Sequence, residues 1–256
     1  MTALSDDELA AAIAQRAGEL LLEVRATAQS EGVDDKTTRS RGDLTSNELI
    51  LAELARERPD DAVLSEESKD DPIRLAAERV WIVDPLDGTR EFAEFGRPDW
   101  AVHVALVVAG TPVAAAVALP ALGEVLSTAN PPSLAPAHAG AVRLVVSRTR
   151  PPKVTEFLAS TMTAELVPMG SAGAKTMAVV RGEADVYAHG GGQYEWDSAA
   201  PVGVAAAAGL HVSRLDGSPL VYNQPDPYLP DLLVCRPELA ETVLAALAAA
   251  PPDTAD

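Results

Sequence analysis

Val80-Trp81-Ile82-Val83-Asp84-Pro85-Leu86-Asp87-Gly88-Thr89 is the stretch on which the reading of the fold turns. Four apolar residues read as a buried strand, and Pro85 interrupts its ladder. Two carboxylates three residues apart then leave the strand end together. With the Leu86 carbonyl turned toward the same point, Asp84, Leu86 and Asp87 offer three oxygen ligands to a hard cation. Gly88 permits close backbone approach, and the amides of Gly88 and Thr89 face a phosphate held by that cation if a helical turn begins there. The plain structural alternative is an Asp-Pro turn with Asp87 capping the next helix.

Other acids favour the first reading. Glu66 and Glu67 follow a short apolar strand at 62–65, and Asp197 follows a strand at 185–188 and opens a helix at 198–209. Strands lying side by side bring Glu66, Asp84, Asp87 and Asp197 together, as ligand sites of α/β sheets are arranged. Four crowded carboxylates repel one another unless a divalent cation lies between them. Mg²⁺ suits a few carboxylates, water and a substrate phosphate.

Working outward, an acidic start at Ser5-Asp6-Asp7-Glu8 predicts a helix over 6–28, and a second apolar helical pattern runs over 47–58, after a polar stretch at 29–42. Strands at 100–108, 112–119 and 123–128 follow with turn residues between them, so the first half reads as α+β. The Pro-rich segment 130–139 marks a boundary near residue 138. Beyond it, strands at 142–147, 165–167 and 185–188 alternate with helices at 153–161, 174–181 and 198–209, an α/β pattern. Two domains are expected, 1–138 and 139–256. The Ala205 to Ala208 run carries no further meaning at this level.

The bulk properties restrict the partners. With 20 Lys plus Arg against 38 Asp plus Glu, the net charge of -18 opposes binding to nucleic acid or an anionic membrane. No apolar run approaches the roughly 20 residues of a membrane span, and the acidic N-terminus does not resemble a signal peptide. Cys235 is the only cysteine, which excludes an internal disulfide, suits a reducing cytoplasm and reads as a buried small hydrophobe. His103, His138, His189 and His211 are scattered singly, against a His-rich zinc site.

The segments SEES (65–68), WIVDPLDGTREF (81–92) and EWDSAA (195–200) resemble, in order and spacing, the three signatures of the Mg²⁺-dependent, lithium-sensitive phosphatase superfamily. That superfamily includes inositol monophosphatases, fructose-1,6-bisphosphatases and 3′(2′),5′-bisphosphate nucleotidases. The likeness spans nearly the whole chain. Ser147-Arg148, the GSAGAK segment at 170–175 and LDGSPLVYN at 215–223 are most similar to the CysQ nucleotidases. The resemblance implies the layered α-β-α-β-α sandwich of the inositol monophosphatase-like sugar phosphatases, in the α+β / α/β class. It also implies one Mg²⁺ on Glu66, Asp84 and the Leu86 carbonyl, a second on Asp84, Asp87 and Asp197, and a third, weaker ion near Glu66. Asp43 and Thr89 match the pair that orients and deprotonates the attacking water; the alternative for Asp43 is a helix-start residue.

The same resemblance implies hydrolysis of the 3′-phosphate of adenosine 3′,5′-bisphosphate (PAP), and of its sulfated form PAPS, within sulfate assimilation. Inositol 1-phosphate or fructose 1,6-bisphosphate is the alternative substrate. Substrate contacts fall to Gly88, Thr89, Arg90, Ser147, Ser171, Lys175 and His189, with Lys175 toward the non-scissile phosphate or else an exposed helix-start lysine. His189 stands where these nucleotidases commonly have Arg, and Ser147-Arg148 continues Thr149-Arg150 where they usually have Ser-His. Pro201 replaces a usual Gly and is expected in the first turn of its helix, where a missing amide is tolerated. A small phosphorylated substrate, a cytoplasmic location and a monomer or homodimer complete the expectation.

Overall fold

A computed structural model describes residues 4–251; residues 1–3 and 252–256, the outer ends of the two expected domains, lie outside it. Helix α1 (Asp6–Glu31) opens with Ser5 and Glu8 capping each other's backbone amides and closes at Gly32, at φ 64°. Helix α2 (Asp35–Glu57) starts a dozen residues before the expected point, because Asp34 caps the amide of Thr37 at 2.7 Å. The polar stretch there shows little apolar periodicity. Its small residues Thr38, Gly42 and Ser46 are nevertheless buried, with Gly42 against Leu86 and Ser46 against Pro85.

The first sheet holds β1 (Ala62–Ser65), β2 (Arg79–Asp87), β3 (Ala101–Val108), β4 (Thr111–Leu119) and β5 (Glu124–Ser127) in that order. β1 and β2 are parallel, and the remaining pairs are antiparallel. Short helix α3 (Thr89–Ala93) follows β2. The second sheet comprises β6 (Arg143–Ser147), β7 (Glu165–Met169), β8 (Val186–Tyr194), β9 (His211–Ser213) and β10 (Tyr228–Cys235), ordered β7-β6-β8-β10-β9. Helices α4 (Lys153–Met162), α5 (Ala172–Val180), α6 (Glu195–Ala207) and α7 (Ala240–Ala248) complete the set.

These elements stack as α1/α2, first sheet, α5/α6, second sheet, α4/α7. Strand alternation explains the stacking. On β2, Trp81 and Val83 face α1 and α2, while Val80 and Ile82 face α5 and α6. On β6, Val145 joins the middle layer, and Leu144 and Val146 join Cys235 and Val243 beneath α4 and α7. Each such fully buried aliphatic side chain contributes roughly 1.5–3 kcal/mol. The first sheet ends at Ser127 and the second begins at Arg143, yet α5 and α6 pack on both.

The small residues of α6 have a structural meaning that composition did not reveal. Ala199, Ala200 and Ala205 are buried, and a Cβ at Gly203 would stand 2.7 Å from the Ala115 Cβ of β4. Small side chains thus let α6 pass closely between two sheets. Because α6 begins at Glu195, Pro201 lies in its interior rather than its first turn. It therefore removes the amide that would bond the Asp197 carbonyl four residues earlier. Cys235 is buried, as expected, and burial followed by the charge of Glu238 pushes its thiol up to about 12. Among the described residues no helix is long and apolar enough to cross a membrane.

Candidate metal centre and substrate cleft

β1 and β2 run parallel with Ser65 opposite Val83, so Glu66 leaves its strand beside Asp84, and its amide donates to the Val83 carbonyl at 3.3 Å. Beyond Asp84 the ladder to β3 slips between Asp84 and Asp87. The strand thus continues to Asp87 instead of stopping at Pro85, with Pro85 and Leu86 in a bulge. Two bonds shape this bulge: Ser46 Oγ of α2 donates to the Pro85 carbonyl at 2.7 Å, and the Leu86 amide donates to Asp84 Oδ1 at 3.0 Å. Asp87 does not cap α3. That position belongs to Gly88, at φ 85° and ψ 45°.

Asp197 arrives from the third residue of α6, where its Oδ2 accepts the Tyr194 amide at 2.7 Å. The preceding strand, β8, lies in the other sheet, so the expected side-by-side strand ends do not account for the cluster. The crossing of α6 between the sheets does. Asp84, Asp87 and Asp197 each present a carboxylate oxygen within 4.8 Å of the others.

The electrostatics are those of a cation site. Burial first, then the charges of Glu66, Asp87 and Asp197, push the Asp84 carboxyl well above the usual range. Loss of hydration and the charge of Asp87 push Asp197 up to about 7. Glu66 is exposed at the rim yet also pushed up to about 7, by lost hydration and then by the charges of Asp87, Glu67 and Asp43, against a hydrogen bond with Asp84. Asp87 differs: burial alone would raise it, but His103, the Ser171 hydroxyl and the Gly173 amide together hold it down at about 2. Hard oxygen donors carrying more negative charge than they can retain together fit divalent cations such as Mg²⁺.

Asp43 is a mid-helix residue of α2, not a helix start. Its neighbour Gly42 touches the turn so closely that a Cβ there would lie 2.8 Å from Leu86 Cδ2 and from Phe92 Cε1. α2 thus brings Asp43 alongside the acidic turn, where burial and then the charge of Glu67 push its carboxyl up to about 7 against the pull of Arg39. Thr89 is half-buried at the first position of α3. Arg25 of α1 anchors that short helix, donating to the carbonyls of Phe92 at 2.8 Å and Glu94 at 2.6 Å.

A cleft of about 550 Å³ opens beside this centre. Arg90, Ser147, Lys175 and His189 line it, with Arg150 and Tyr228. Lys175 is buried at 6% exposure rather than solvated, and its Nζ stands 5.2 Å from the Tyr187 ring centre. Burial lowers its ammonium pKa, opposed by the charges of Asp87, Asp197, Glu91 and Asp99. His189 Nε2 lies 2.6 Å from the Gly191 carbonyl. Ser171 is turned elsewhere: its Oγ donates to Asp87 Oδ2 at 2.5 Å while accepting the Ala174 amide at 2.9 Å.

Sequence reasoning gave His103, a lone histidine in an apolar strand, no place at the site, and took Gly173 only as part of the GSAGAK segment. His103 is fully buried with Nε2 3.3 Å from Asp87 Oδ2. Burial acts to lower its pKa, but the Asp87 carboxylate outweighs that and raises it. Tyr228 escaped notice because β10 itself was not anticipated; one signal for it was the short continuous apolar run from Leu232 to Cys235.

Comparison with known proteins identifies relatives of the whole chain. The chain is 55% identical over 241 residues to a 3′-phosphoadenosine 5′-phosphate phosphatase of Mycobacterium tuberculosis, covering 91% of this chain and 89% of the relative. It is 31% identical over 234 residues to the 3′(2′),5′-bisphosphate nucleotidase CysQ of Escherichia coli K12, covering 85% and 94%. The crystal structure of CysQ from Bacteroides thetaiotaomicron superposes with a TM-score of 0.76 at 29% identity, covering 89% of this chain and 96% of that one. The model of the inositol monophosphatase family matches residues 5–251, and the chain belongs to that family.

Proposed function

We propose that this protein is a Mg²⁺-dependent phosphomonoesterase that removes the 3′-phosphate of PAP, and also accepts PAPS, yielding the 5′-phosphorylated nucleoside and inorganic phosphate. The observation that carries the reading is the convergence of Asp84, Asp87 and Asp197 beside a cleft containing the buried Lys175. The mycobacterial relative, named a 3′-phosphoadenosine 5′-phosphate phosphatase, and the enterobacterial one, named a 3′(2′),5′-bisphosphate nucleotidase, support it.

Glu66, Asp84, Asp87, Asp197 and the Leu86 carbonyl would hold two or three Mg²⁺ ions. When bound, these ions neutralise the phosphoryl oxygens and make the attacking water more acidic. The Thr89 hydroxyl orients that water, and Asp43 takes its proton on a carboxylate oxygen. In the metal-free protein burial and the charge of Glu67 raise this carboxyl, which favours it as a proton acceptor. As the water oxygen bonds to phosphorus, the bond to the ribose 3′-oxygen breaks and that oxygen takes up a proton from solvent, to which Asp43 returns the one it accepted. The amides of Gly88 and Thr89 and the side chain of Arg90 steady the scissile phosphate. Lys175, Ser147 and His189 receive the second phosphate, and Ser171 keeps Asp87 oriented for this work. A cytoplasmic location, a place in sulfate assimilation and sensitivity to Li⁺ complete the reading.

Rates of phosphate release from PAP, inositol 1-phosphate and fructose 1,6-bisphosphate in Mg²⁺ test it. PAP should give the highest kcat/KM. Equal or faster turnover of inositol 1-phosphate would overturn the nucleotidase assignment, and Asp43→Asn with undiminished kcat would remove Asp43 as the base.

A further inference from the structure

His103 sits at 0% exposure as the third residue of β3, where three separate elements meet its ring. A carbonyl only accepts, so the ring Nδ1 donates to the Trp196 carbonyl of α6 at 3.0 Å. Nε2 faces Asp87 Oδ2 of β2 at 3.3 Å. The third neighbour is the α5 backbone: a Cβ at Gly173 would lie 2.0 Å from Nε2, while the Gly173 amide donates to the same Asp87 oxygen at 2.7 Å. The ring is thus clamped in place. An aliphatic side chain would fill this interior position and supply neither polar contact.

We propose that His103 is a positioning residue that joins Asp87 to the α6 turn carrying Asp197, holding these two acids at the spacing a divalent cation requires. The proposal rests on the metal role given above to Asp87 and Asp197. These acids come from different layers, and the described hydrogen bonds of Asp197 stay within its own helix turn, at Tyr194. The Trp196 carbonyl belongs to the peptide group that continues into Asp197. Anchoring that carbonyl to a ring that also abuts Asp87 therefore couples the positions of both carboxylates. Groups that orient metal ligands typically change metal affinity or activity by about 10–100-fold when removed.

The test compares His103→Leu, His103→Asn and His103→Gln with the wild type. Free Mn²⁺ is measured by electron paramagnetic resonance during titration of the metal-free proteins, and the Mg²⁺ dependence of phosphate release is measured in parallel. Asn offers an amide near the Nδ1 position, and Gln one near the Nε2 position. The expected result is that Leu weakens Mn²⁺ binding by about 10–100-fold. The Mg²⁺ concentration for half-maximal rate should rise with it, substrate KM at saturating Mg²⁺ should stay within about twofold, and at least one amide variant should recover part of the affinity. Wild-type Mn²⁺ affinity in the Leu variant, or equal loss in all three, would overturn the proposal. Should Leu fail to fold, weakened Mn²⁺ binding in a folded Asn or Gln variant supports it, and wild-type binding in both overturns it. A wild type that binds Mn²⁺ but releases phosphate from no ester would refute the phosphatase reading alone.

Discussion

Gly88 stands between the metal-ligand candidate Asp87 and the proposed water-orienting Thr89, so replacing it with Ala tests whether the turn's exact shape matters. Two costs add. At φ 85° a side chain meets its own backbone, on the order of 1–2 kcal/mol for a non-Gly residue. The new Cβ would also stand 3.0 Å from Ser171 Cβ, 3.2 Å from the Asp99 carbonyl oxygen and 3.3 Å from Trp100 Cα. Two of those three neighbours are backbone atoms, which yield only by moving β3 or its approach, so crowding contributes a further 1–3 kcal/mol by order of magnitude. The expected destabilisation is about 2–5 kcal/mol, a fall in Tm of roughly 4–20 °C for a chain of this size. Gly32→Ala is the control. Gly32 has a similar φ of 64° with nothing within 4 Å of a Cβ, so it reports the backbone cost alone. Urea unfolding gives both stabilities. Phosphate release at saturating Mg²⁺ should fall for Gly88→Ala well beyond any loss of folded protein and stay unchanged for Gly32→Ala. Equal stability losses, with activity of Gly88→Ala within twofold of wild type, would refute the reasoning.

Lys175→Ala should lower kcat/KM for PAP by about tenfold to a hundredfold, the worth of a charge-assisted contact, and affect a monophosphate ester much less. An equal effect on both would show that Lys175 does not meet the second phosphate. Stability should also depend on pH in a metal-sensitive way. The folded, metal-free protein retains protons on Asp43, Glu66 and Asp197 up to about 7, whereas their ordinary values are 3.8, 4.5 and 3.8. Between those limits the unfolded chain binds fewer protons, so stability decreases as pH rises. Calorimetry should show the metal-free Tm falling from about pH 5 to about pH 8, with Mg²⁺ restoring most of the loss and Asp197→Asn flattening the slope. A metal-free Tm that rises over that range would contradict the assigned origin of these shifts.

The site was legible where chemistry is local and illegible where it depends on packing. The acidic turn at the end of β2 could be read because an apolar run, proline, two carboxylates and glycine stand close together in the sequence. Asp197 was identifiable beside an alanine-rich helix, but the reason it reaches the others was not, since that requires α6 to run between two sheets at the closeness Gly203 permits. The beginning of α2 was missed because its polar first turns carry few periodic apolar residues and are positioned by Asp34 and by packing on the turn. For Pro201, the interior position in α6 followed from a helix start three residues earlier than its apolar pattern implied. His103 shows the limit most clearly. One histidine in Ala101–Val108 has no sequence signal, and only the fold reveals that it touches an acid on β2 and a carbonyl on α6.

The proposed function requires that carboxylates of β2 and α6 form one cation site on which phosphate release depends. Phosphate release from PAP should be measured across a Mg²⁺ titration, beginning in excess chelator, for the wild type and for Asp84→Asn. No release is expected in chelator, and activation by Mg²⁺ should be saturable. A folded Asp84→Asn protein should lose more than about a hundredfold in rate. Release that persists in chelator, or that is unchanged by Asp84→Asn, would contradict it.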